Sequence, residues 1–380
     1  QSYFVKQREG LVELTALDSW VLNLTQSVAY SEADREEIQR HITEQYISDY
    51  TATWRAGMDN LNVRDYEAMS ALTDALEQII SGDQPFQRAL TALRDNTHAL
   101  TLSGKLDDKA REAAINEMDY RLLSRLGHEF APENSALEEQ KDKASTLQAV
   151  YQQLTELHRY LLAIQNSPVP GKSALKAVQL RLDQYSSDPI FATRQMAKTL
   201  PAPLNRWVGK LADQAWHVVM VEAVRYMEVD WRDNVVKPFN EQLADNYPFN
   251  PRATQDASLD SFERFFKPDG IRDNFYKNNL RLFLENDLTF GDDGRVLIRE
   301  DIRQQLDTAQ KIRDIFFSQQ NGLGAQFAVE TVSLSGNKRR SVLNLDGQLV
   351  DYSQGRNYTA HLVWPNNMRE GNESKLTLIG

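Results

Sequence analysis

The chain has 380 residues, 41% of them hydrophobic and 26% charged, which is a globular rather than a disordered composition. That length exceeds the roughly 250–300 residues one hydrophobic core usually serves, so more than one domain is expected. It has no cysteine, which excludes disulfides, thiolate metal sites and cysteine nucleophiles, and its net charge of -11 argues against nucleic acid as a partner.

Ser31-Glu32-Ala33-Asp34 has the form of a capping box and opens a long helix carrying Ile38, Ile42, Ile47, Tyr50, Trp54, Met58 and Leu61 at helical spacing. A second helix carries Met69, Leu72, Leu76 and Ile79 and stops at Gly82. Asp83 caps a third, with Pro85 in its first turn and Phe86, Leu90 and Leu93 as its stripe; another covers Lys109 to Leu126. From Glu138 to Ile164 one apolar face runs through Leu147, Val150, Leu154, Leu157 and Leu161. That stripe is too short for four heptads, so a bundle helix is expected rather than a coiled coil. Ser167-Pro168-Val169-Pro170-Gly171 breaks this helix, and Ser173 to Leu182 resumes one. Leu204 to Val236 is apolar on nearly every turn, with Trp207, Trp216 and Trp231, and reads as a central helix.

Tyr247 to Leu284 is the most aromatic stretch. Pro248 and Pro251 make its entry extended, Ser258 or Asp256 caps a short helix with Phe262, Phe265 and Phe266, and Lys267-Pro268-Asp269-Gly270 ends it before a second short helix with Phe275 and Phe283. Two helices this short cannot bury so many rings against each other, each ring covering roughly 150–250 Å². Tyr247, Phe249, Phe262, Phe265, Phe266 and Phe275 are therefore expected to form a joint between helical and sheet regions. Leu288 to Ile298 reads as a hairpin and Glu300 to Phe317 as a helix. Beyond Ala325 the period changes to two: strands are expected over Gln326 to Val332, Val342 to Leu345, Tyr358 to Trp364 and Lys375 to Ile379, with Asp346-Gly347 as a turn. The expected architecture is α+β, a multi-helix region followed by an antiparallel β-sandwich. Its expected parts are 1–165 (helical), 166–284 (helical, with the joint) and 285–380 (sandwich with one helix), the last sheet being cut short at Gly380. Starting at Gln1 without Met or leader pattern, the chain reads as a piece or processed product of a longer one.

No catalytic constellation stands out. The six histidines lack metal-binding spacing, there is no HExxH and no GxSxG, and Asp292-Asp293-Gly294 lacks the alternating ligands of a calcium loop. Pro170-Gly171-Lys172-Ser173 resembles the end of a phosphate loop, but Asn166 stands where the first Gly is needed and a helix precedes it. No enzyme activity, cofactor, metal or small-molecule substrate is expected. Lys338-Arg339-Arg340 is the densest cationic run, set between two strands of an otherwise acidic chain; with Tyr352 and Tyr358 it is the candidate partner-binding surface. Tyr352, Tyr358 and Trp364 also suggest an alternative, a sandwich that holds peptidoglycan or another glycan by stacking.

The order of several short motifs resembles the periplasmic C-terminal half of the TssM/IcmF family of type VI secretion proteins. They are Asp18-Ser19-Trp20-Val21-Leu22, Tyr46-Ile47-Ser48-Asp49-Tyr50 with Trp54, and Trp231-Arg232 with Val235 and Phe239. Tyr247-Pro248-Phe249, Phe265-Phe266 with Pro268 and Gly270, and Ile312-Arg313 with Phe316-Phe317 follow. Leu345-Asp346-Gly347-Gln348 with Tyr352, and Trp364-Pro365, complete the series. Where the family often has Gly-Pro, this chain has Gly355-Arg356. The resemblance implies a non-enzymatic structural component spanning the periplasm of a Gram-negative bacterium. It implies three partners: the outer-membrane lipoprotein TssJ, bound by the C-terminal region, the inner-membrane protein TssL, and other TssM copies.

Overall fold

A computed structural model describes residues 31–97, 118–139, 144–184, 188–286, 288, 297–317, 322–353, 355, 357–366 and 374–380. Among the described residues, helices occupy the chain up to residue 316 and antiparallel sheet follows, giving the α+β class. The motif at 18–22, much of the helix expected over Lys109 to Leu126, and most of the hairpin expected over 288–298 lie outside the described residues. The chain divides into two compact units, residues 1–170 with 186–219, and residues 171–185 with 220–380.

In the first unit, helix α1 (Glu32–Asn60) starts at the expected capping box: Ser31 Oγ accepts from the Asp34 amide at 3.2 Å while the Asp34 carboxylate accepts from the Ser31 amide at 2.9 Å. Its C-terminal end is also held from outside. Arg206 donates to Met58 O at 2.7 Å and to Asp59 Oδ1 at 2.8 Å, and Trp207 Nε1 donates to Leu61 O at 2.6 Å. Helices α2 (Met69–Ile80), α3 (Pro85–Thr97), α4 (Met118–Glu129) and α5 (Ala131–Ser135) follow. Next comes α6, Thr146–Gln165, which starts eight residues later than the charged run from Glu138 suggests. Ser145 and Gln148 form a second reciprocal capping box and fix the start there. The core is built where α2 meets α6, with Leu72, Leu76, Leu154, Leu157 and Leu161 inaccessible to solvent. Phe86 stacks on Trp207 at 5.0 Å between ring centres.

In the second unit, the first turn of α7 (Pro170–Gln184) meets the later part of α9 (Leu204–Trp231), α8 (Pro189–Ala197) lying between them in the chain. Gly171 sits in the first turn of α7, and a Cβ there would lie 2.5 Å from Tyr226 Cβ. This close approach accounts for the glycine of the Gly-Lys-Ser triplet, which belongs to a helix following a helix and not to a strand-to-helix phosphate loop. Gly171→Ala is expected to cost about 1–3 kcal/mol in urea unfolding, the scale of forced overpacking.

The sequence reading ends the central helix at Val236, but the chain continues as π-helical turns Arg232–Val236 and Asn240–Ala244 around a single α-turn, Lys237–Phe239. Pro238 sits between the two widened turns, where a residue with no N–H and a crowding ring is absorbed without ending the helix. Helix α10 (Leu259–Phe266) is capped by Ser258, whose Oγ accepts from the Ser261 amide at 3.1 Å. Helix α11 (Ile271–Phe275) passes through a third π turn, Tyr276–Leu280, into α12 (Arg281–Glu285), and α13 spans Glu300–Phe316.

Among the described residues, five strands close the unit: β1 (Ala325–Glu330), β2 (Arg340–Leu345), β3 (Gln348–Ser353), β4 (Thr359–Trp364) and β5 (Lys375–Ile379). β1 pairs with β4, and β2 lies between β3 and β5, all antiparallel. The β2–β3 hairpin turns on Asp346 and Gly347, with φ of 50° and 83°, the doubly left-handed pair a two-residue turn needs. Gln348 ties the sheets by accepting the Val363 amide at 3.0 Å and donating to the Val363 carbonyl, over a core of Val350, Tyr352 and Leu362.

Candidate functional site

Aromatic residues between Phe239 and Trp364 form a connected path in the second unit. Phe239, on the α-turn between the π turns, packs on Phe249 and Phe265, each at 5.3 Å between centroids; Phe249 stacks on Phe266 at 5.8 Å. Phe262 is the hub, touching Phe249, Phe266, Phe316 and Phe317, and Phe316 meets Trp364 of β4 edge-on at 6.1 Å. Rings thus run from the end of the central helix to the first sheet. Two of the joint residues lie off this path. Phe275 packs on Trp231, and Tyr247 has an exposed side chain (52%) and is held by its backbone, which exchanges hydrogen bonds with Gln255 and Ala257 at 2.9 Å.

Beside the rings lies a buried ion cluster. Asp273, 1% exposed, accepts from Arg313 Nη1 at 2.7 Å, from Lys277 Nζ at 2.8 Å and from the Asp269 amide at 2.9 Å. Burial pushes its carboxyl up, but these hydrogen bonds and the charges of Lys277 and Arg313 outweigh it and hold the pKa below the ordinary 3.8. Arg272, 4% exposed, donates to Leu306 O at 2.7 Å and Gln310 Oε1 at 3.0 Å, fastening α11 to α13. A groove of about 810 Å³ opens alongside, between the π-helical segment, α10 and α13. Sequence reasoning missed this cluster. Its one local signal was the four-residue spacing of Asp269, Asp273 and Lys277 in a stretch otherwise notable for rings.

In the sheets, the structure brings Arg340, Asp351 and Tyr358 together. Arg340 forks across the strands onto the Asp351 carboxylate, and Tyr358 Oη donates to the Asp351 carbonyl at 2.9 Å. Lys338 and Arg339 make no ion pair with a described residue, and the Arg339 amide donates to Ile379 O at 2.8 Å. Tyr352 is buried, its hydroxyl 3.0 Å from Asn357 Oδ1, which leaves no open ring face for stacking on a glycan. Among the described residues no group of His, Asp and Glu could hold a metal ion, and no helix is long and apolar enough to cross a membrane.

Three family models match the chain in succession. The IcmF-related model (intracellular multiplication and human macrophage-killing) covers residues 1–98, the type VI secretion IcmF helical domain 223–318, and the IcmF C2-like domain 327–380. The chain is a TssM/IcmF-like protein. This TssM/IcmF-like chain is 22% identical over 377 residues to the type VI secretion system component TssM1 of Pseudomonas aeruginosa. The match covers 92% of the chain but spans about a third (34%) of that relative. Its fold is that of solved chains described as the type VI secretion system membrane core complex (TM-score 0.68, 20% identity, 91% of this chain and 70% of that one) and the type VI membrane complex (0.64, 20%, 99% and 70%).

Proposed function

We propose that this chain is a non-enzymatic, periplasmic part of the type VI secretion membrane complex, docking through its C-terminal sheets on the outer-membrane lipoprotein TssJ and assembling with TssL and further copies of itself. The observation that carries the reading is the succession of three IcmF-type matches along the chain, ending in the C2-like sheets. The sheets supply a surface suited to a protein partner: Lys338 and Arg339 are unpaired among the described residues, and Tyr358, 42% exposed, bonds to the Asp351 that pairs with Arg340. The ring path and the ion cluster serve this reading as the architecture that presents the sheets. Immobilised TssJ is expected to retain residues 1–380 and to release residues 1–320. Equal retention of both would place the lipoprotein contact elsewhere.

A further inference from the structure

The groove beside the ion cluster has a chemistry that docking on a lipoprotein does not use. Its walls are mainly apolar, from Trp231, Val235 and Phe239 on the helical side, Phe265 on α10, and Leu306 and Ile312 on α13, with Asn240, Gln304, Gln305 and Thr308 as uncharged polar lining. Its volume of about 810 Å³ falls within the roughly 300–1,000 Å³ of small-molecule pockets. Among the described residues, three charged ones line it. Arg299 and Asp301 neutralise each other as a forked pair at 3.0 and 2.7 Å, both exposed. The third, Arg272, is buried.

Arg272 has less than its charge requires. Both of its terminal nitrogens donate to neutral acceptors, the Leu306 carbonyl and the Gln310 amide. Its Nε–H is buried without a hydrogen-bond partner among the described residues, and the guanidinium carbon lies 5.7 Å from the centre of the Tyr276 ring. The nearest carboxylate, Asp273 at 3.9 Å, is already shared by Arg313 and Lys277, and Arg313 adds a second positive charge close by. Burial, and then the Arg313 charge, push the Arg272 pKa down. A buried guanidinium with a spare donor and a spent counter-ion favours an incoming anion, and the apolar walls favour a hydrocarbon or aryl body attached to it. We propose that the groove is a binding site for an amphiphilic monoanion, an acyl or aryl carboxylate, whose body lies along Trp231, Phe239 and Leu306 and whose head is held at Arg272.

The proposal is tested by isothermal titration of residues 1–380 with decanoate, below its micelle concentration, and with 1-decanol as the uncharged analogue. One decanoate per chain is expected to bind, and decanol on the order of tenfold more weakly, the scale of one charge-assisted hydrogen bond. Ala309→Trp, at a half-buried position on the groove wall, should abolish binding of both while leaving the circular dichroism spectrum unchanged. Arg272→Met should bring decanoate down to the level of decanol and leave decanol unaffected. If Arg272→Met does not fold, the decanoate–decanol comparison and Ala309→Trp decide. No saturable decanoate binding, equal affinity for the two probes, or undiminished binding to Ala309→Trp would overturn the assignment. None of these outcomes bears on retention by TssJ.

Discussion

Phe262→Ala is expected to lower the unfolding free energy by about 3–5 kcal/mol, the cost of deleting a buried aromatic side chain from a packed core. Phe262 is 9% exposed and joins four rings: Phe249 after the π-helical segment, Phe266 of its own helix, and Phe316 and Phe317 at the end of α13. Removing it opens a cavity that none of these elements can fill alone, because each is fastened elsewhere. Ser258 caps α10, and Arg272 holds α13 through Leu306 O and Gln310. Tyr247→Ala is the internal comparison. Its side chain is about half exposed and its backbone bonds survive the change, so it should cost less than about 1 kcal/mol. Urea unfolding followed by circular dichroism measures both. Similar small losses for the two would mean that the ring path does not join helices to sheet.

Asp273→Ala is the second large effect. A buried carboxylate that collects Arg313, Lys277 and the Asp269 amide cannot be removed without leaving cations uncompensated. Such losses run to roughly 3–5 kcal/mol for fully buried pairs, and the low end, about 3 kcal/mol, is expected because Arg313 and Lys277 can still reach water. The sign of the pH dependence follows from the depressed pKa of Asp273. Its contribution is fully present above the ordinary 3.8 and is lost as the pH falls through the lower folded-state value. Asp273→Asn should therefore differ from the native chain most at pH 7, and the gap should narrow as the pH falls below that ordinary value. Melting curves across that range check it; a gap constant with pH would mean that the charge of Asp273 is not what stabilises the cluster.

Much of this architecture is written locally. The Ser31–Asp34 box, the Asp346-Gly347 turn and the period-two runs of β1, β2, β4 and β5 are decided by neighbours in sequence, so they can be read from it. The start of α6 was equally local, but the charged run from Glu138 resembles a solvated helical face and obscured the Ser145–Gln148 box. The continuation past Pro238 was not legible, because a proline ordinarily ends a helix and nothing in the sequence announces a π turn. The rings of the joint were evident, but their partners Phe239, Phe316 and Trp364 are set by tertiary packing. The ion cluster was least accessible: Asp273 and Arg313 are forty residues apart, and each alone looks like a surface charge. The cationic run was visible, yet only the fold separates Arg340, occupied by Asp351, from Lys338 and Arg339.

The most direct test of the proposed docking is hydrogen–deuterium exchange of residues 1–380 with and without purified TssJ. Protection is predicted in the C-terminal sheets, over Arg340–Leu345, Gln348–Ser353 and Thr359–Trp364, with α1, α2 and α6 unchanged. Protection confined to those helices, or none at saturating TssJ, would contradict it.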